Sequence, residues 1–159
     1  MRAGSVMTAA VAAILVLAGC ASAEEPTGPQ GPNGYTASAS FDDGSVLWWD
    51  RSPESGMTDL VLTDDAGRIL ASCLSAKPLY CVAGPEDQTG VLVIAPAGAE
   101  RAVMQWFGEE VELERGELGS DAGEDALPVF AGVMPEVGDP DQGYHLDVLD
   151  GAGETVFSS

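Results

Sequence analysis

The chain has 159 residues, with 26 aspartates and glutamates against six lysines and arginines, and a formal net charge of −20. A field of that sign repels nucleic-acid phosphates and anionic lipid head groups, which excludes nucleic acid as a partner. A single histidine and three cysteines leave little material for a zinc centre or a nucleophilic triad.

In chain order, the first element is an apolar run from Val6 to Ala18, broken only by Thr8 and preceded by the lone charge of Arg2. It is shorter than the ~20 residues a helix needs to span a bilayer, and its layout is that of a secretory signal. At its end, Leu17-Ala18-Gly19-Cys20 resembles the lipobox of bacterial lipoproteins. The resemblance implies that residues 1–19 are a removable signal peptide and that the Cys20 thiol carries a diacylglyceryl group. It also implies a lipid-anchored protein on the extracytoplasmic face of the cell membrane. Two acyl chains hold a protein stably where one binds only marginally. The alternative is ordinary cleavage after Ala21-Ser22-Ala23. With its single lysine and abundant Ala, Gly, Val and Glu, the chain is similar to small actinobacterial envelope lipoproteins, a likeness that implies location only.

Residues 20–34 combine the cysteine with "ASAEEPTGPQGPNG", where Pro26, Pro29 and Pro32 recur and apolar side chains are almost absent. Such a segment is expected to be an extended linker.

Residues 35–159 are enough for one hydrophobic core and one domain. Short apolar runs rich in β-branched and aromatic residues alternate with Asp/Gly/Pro turns. They predict strands at 35–41, 45–50, 58–63, 68–74, 79–83, 90–95, 100–107, 110–115, 127–133, 144–149 and 154–158. The expected class is all-β, a single antiparallel β-sandwich or barrel-like domain. "TDDAGR" at 63–68, "APAGAE" at 95–100 and "LDGAGE" at 149–154 place a glycine where a tight hairpin needs positive φ. At 99–107, good helix formers precede Val103, Trp106 and Phe107 at helical spacing, so a short helix is the alternative to strand there. "SVLWWD…TDLVLTDDAGRIL" and "PVFAGV…YHLDVLDGAGETV" share a loose order of strands and turns. Common turn chemistry explains that likeness, duplication being the alternative.

Cys73 and Cys81 remain as an even pair once Cys20 is acylated, and "CLSAKPLYC" is long enough to turn and bring two strands together. Beyond the membrane, a structural disulfide is expected, because the spacing is not that of a C-x-x-C redox pair.

No catalytic constellation emerges. His145 lies in "GYHLDVLD", a predicted strand; no G-x-S-x-G elbow occurs, and "SAK" at 75–77 lacks the S-x-x-K spacing. "DPDQGYHLDVLD" sets Asp139 and Asp141 two apart, but its glycine and final residue depart from a calcium loop. No metal or cofactor is therefore expected. In "EEVELERGE", Glu110, Glu112 and Glu114 fall on one strand face and Val111 and Leu113 on the other, an acidic stripe that suits a solvated face. The candidate binding residues are Trp48 and Trp49. Neighbours in a strand face opposite ways, so one enters the core while the other can stack on a sugar or anchor a partner, unless the loop 51–57 covers it. The expected role is non-catalytic: binding, or an accessory part played to an envelope protein or glycan. The alternative is an envelope hydrolase using paired carboxylates.

Overall fold

The computed structural model describes residues 31–85 and 88–159. The expected signal peptide at 1–19, Cys20 and residues 21–30 of the expected linker lie outside the described residues. The fold is all-β, with eleven strands: β1 (Thr36–Ser40), β2 (Val46–Arg51), β3 (Thr58–Thr63), β4 (Ile69–Ser75), β5 (Leu79–Ala83), β6 (Thr89–Ile94), β7 (Ala99–Trp106), β8 (Glu109–Gly116), β9 (Val129–Met134), β10 (Tyr144–Asp150) and β11 (Thr155–Ser158). Every predicted strand is present, and 99–106 is strand rather than helix. Short 3₁₀ turns at Ser120–Ala122 and Pro140–Gln142 interrupt the longer loops.

The strands form a four-stranded sheet, β1-β2-β3-β4, and a seven-stranded sheet, β11-β10-β7-β8-β9-β6-β5, antiparallel throughout. Two apolar clusters result from strand alternation. The first lies between the sheets and contains Leu47, Trp49, Leu60, Leu62, Leu92, Ile94, Val129 and Ala131. The second lies on the other face of the seven-stranded sheet and contains Val91, Val93, Met104, Trp106, Phe130, Leu146 and Val148. That sheet curls around the second cluster as a half-barrel, so that Tyr80 of β5 and Phe157 of β11 meet edge-to-face at 6.4 Å. β6 is thus a wall between two cores, which is why it reads as an unbroken apolar run. Each fully buried Leu, Ile or Val side chain contributes about 1.5–3 kcal/mol.

The four-stranded sheet is fastened to the larger one at both edges. Near β1, Ser38 Oγ donates to the Glu117 carbonyl at 3.1 Å, and the Glu117 amide donates to the Ser38 carbonyl at 3.3 Å. At the β4 edge, Cys73 and Cys81 form the expected disulfide. The two strands it brings together belong to different sheets, so it is an inter-sheet staple.

Two hairpins share one construction. Asp64 Oδ1 accepts the amides of Ala66 and Arg68, and Asp150 Oδ1 accepts those of Ala152 and Glu154. Gly67 and Gly153 take φ of +79° and +81°, a region that a Cβ disfavours. The wider likeness between the two halves ends there. β2 pairs with β3, whereas β9 pairs with β6 and β8 and not with β10.

Candidate functional site

β2 carries both adjacent indoles. Leu47 and Trp49 point into the inter-sheet core, where Trp49 is 5% exposed. Trp48 is on the outer face of the four-stranded sheet and half-buried. Its Nε1 donates to Thr63 Oγ1 at 2.9 Å. Gly31 covers Trp48: a Cβ on Gly31 would collide with the indole at Cε3. The segment that reads as linker therefore reaches the domain surface. Its absence of side chains at this point is what lets the backbone lie on the ring.

Beside Trp48, the outer face gathers Tyr35, Asp50, Asp59 and the exposed Leu74. Asp50 and Asp59 are direct cross-strand partners, and Leu74 follows Asp59 on β4. Like charges placed opposite each other on a sheet repel. Tyr35 meets this charge by donating its hydroxyl to Asp59 Oδ2 at 2.7 Å. The hydrogen bond to Asp59, partial burial and the charges of Asp59 and Asp50 push the Tyr35 phenol up to about 12.

The other sequence candidates are dispersed. Glu110, Glu112 and Glu114 are exposed, with Leu113 buried behind them. Arg101 from β7 forks onto Glu112 with contacts of 2.7 and 3.0 Å, and Gln105 donates to Glu110. The hydrogen bond from Arg101 holds the Glu112 carboxyl below its usual range. His145 is exposed, 3.4 Å from Asp147 Oδ2. Asp139 caps the second 3₁₀ turn, accepting from Gln142 Nε2 and the Asp141 amide. Among the described residues, no group of three or more His, Cys, Asp or Glu is arranged to hold a metal ion.

Two features escaped the sequence reading. The first is an aromatic rim at one end of the second core. Trp106 contacts Phe107 at 4.8 Å and Tyr144 at 5.3 Å, and Phe107 holds φ of +47° in the β7–β8 turn. The second is a cleft of about 210 Å³ in the β8–β9 connection, lined by Arg115, Glu117, Gly119, Ala122, Gly123 and Leu127 among others. Arg51 reaches this loop from β2, its Nη1 donating to the Ala122 carbonyl. Comparison of the chain with protein-family models, curated proteins and solved structures returns no match.

Proposed function

We propose that this is a lipid-anchored extracytoplasmic protein of the bacterial cell envelope. It acts by binding, or as an accessory subunit, through the outer face of its four-stranded sheet. The lipobox-like Leu17-Ala18-Gly19-Cys20 supports the anchor. The observation that carries the binding role is the placement of Trp48. A large ring lies on the outer face of the four-stranded sheet, near Tyr35 and the carboxylates of Asp50 and Asp59, while its neighbour Trp49 fills the core. Aromatic faces stack on sugars and anchor protein partners, and flanking carboxylates supply acceptors. Carboxylates are less suited to catalysis as they stand here. Asp50 and Asp59 lie on an open face with Asp59 taken by Tyr35, and Glu117 is the carboxylate that lines the cleft.

The test is in intact cells. Wild-type protein incorporates labelled palmitate and partitions into detergent, and Cys20→Ser does neither. A photocrosslinker placed at Ser72, opposite Val61 on the outer face, captures an envelope protein or glycan that Trp48→Ala fails to capture. Unlabelled wild-type protein, or capture indifferent to Trp48, overturns the respective half of the reading.

A further inference from the structure

Cations are scarce in this chain, and two of its four described arginines are held by carboxylates. Arg68 is held by Asp64 and Arg101 by Glu112. Arg51 and Arg115 have no carboxylate partner among the described residues, and both belong to the β8–β9 cleft region. Arg115 lines the cleft itself. Arg51 uses Nη1 on the Ala122 carbonyl, but its Nε is buried without an acceptor. A third donor adjoins them: Trp49 Nε1 is also buried without an acceptor.

The placement of that indole is informative. Its Cζ2, on the ring edge that carries Nε1, lies 3.9 Å from where a Cβ on Gly119 would stand. A Cβ on Gly123 would stand 3.4 Å from Arg51 Nη1. Gly119, Ala122 and Gly123 all line the cleft, so the Trp49 ring and the Arg51 guanidinium approach it from behind two glycines and an alanine. The other two indoles are satisfied, Trp48 by Thr63 and Trp106 by the Pro135 carbonyl. Buried N–H groups without acceptors are rare in folded proteins, and their coincidence with a cleft and two guanidinium groups that no carboxylate neutralises calls for an acceptor ligand.

We infer that the β8–β9 cleft is a binding site for a carboxylate group, which draws its wall aside and accepts from Arg51 Nε and Trp49 Nε1, with Arg115 supplying further positive charge. The surrounding acids narrow the class. Glu117 lines the cleft, and Asp121, Glu124 and Asp125 are exposed on the same loop. A dianionic phosphate meets more repulsion there than a single carboxylate, and a zwitterion with an ammonium beside its carboxylate meets the least. This site is separate from the Trp48 face and does not depend on its role.

The three indole N–H resonances of the full, isotope-labelled chain provide the test. Sodium acetate, glycine and inorganic phosphate are titrated against sodium chloride at matched ionic strength. The Trp49 resonance is expected to move and saturate with acetate and glycine, while those of Trp48 and Trp106 stay. Arg115→Gln, an exposed change, weakens the response about tenfold, the size of one charged hydrogen bond. A Trp49 resonance that merely follows chloride overturns the site, as does equal movement of all three indoles, which signals an adventitious ion only. Phosphate binding more tightly than acetate overturns the carboxylate assignment.

Discussion

The Tyr35 hydroxyl donates to Asp59 Oδ2 at 2.7 Å, tying the start of the described chain to the third strand of the four-stranded sheet. Because the phenol is pushed up to about 12 from 10.0, the neutral form is the one the fold favours. Its stabilisation is complete below pH 10 and is lost as pH rises through about 12. Absorbance titration should therefore resolve one of the three tyrosines ionising late, and Tyr35→Phe should abolish that step. The same substitution should flatten the fall in melting temperature across this window.

Trp48 and Trp49 should respond unequally to truncation. Trp49→Ala empties core volume and is expected to cost about 3–5 kcal/mol in urea melts. Trp48→Ala leaves Leu47, Leu60 and Leu62 packed, so its cost should be clearly smaller. Similar losses from both would contradict the burial difference.

Gly31 should be sensitive in a different way. A methyl at this position would collide with the Trp48 indole, so Gly31→Ala is expected to lift residue 31 and its neighbours from the ring. Acrylamide quenching of Trp48 should rise, read with Trp49 and Trp106 replaced by Phe, with little change in melting temperature.

Thiol alkylation of the folded protein without reductant should label neither Cys73 nor Cys81. Replacing both with alanine should cost about 2.5 kcal/mol by the chain-entropy model. Because the bond joins two sheets, hydrogen exchange should quicken in both β4 and β5.

Burial pushes the Asp64 carboxyl up, but the Arg68 amide and guanidinium and the Ala66 amide outweigh it and hold the group below 3.8. The ionised form is therefore favoured by the fold. Its stabilisation is present above pH 3.8 and is lost as pH falls through the lower folded value. Asp64→Asn should lower stability at pH 6, and the gap to wild type should close on acidification toward pH 2.

The strand pattern was open to sequence reasoning because alternation and turn chemistry are local. The glycines at 67, 98 and 153 all take positive φ, as their turns require. The helical spacing of Val103, Trp106 and Phe107 proved accidental. Trp106 points inward from β7, and Phe107 belongs to the turn that follows. Trp48 and Trp49 follow strand alternation, but the cover could not be assigned, since Gly31 sits in a Pro/Gly stretch that carries no apolar signal. Nor could the partnering of Cys73 and Cys81 reveal that their strands lie in different sheets. Arg51 and Arg115 are far apart in sequence, and only the path of the β8–β9 loop relates them. The run Val91–Ile94 did carry an overlooked sign: a strand apolar on both faces needs two cores.

That shared wall has a thermodynamic consequence. Leu92 and Ile94 belong to the first cluster and Val91 and Val93 to the second, and β9 divides Val129 and Ala131 from Phe130 in the same way. Neither cluster can melt without withdrawing the backbone that supports the other. The two cores therefore behave as one cooperative unit, and Trp49 in the first and Trp106 in the second report a single unfolding midpoint.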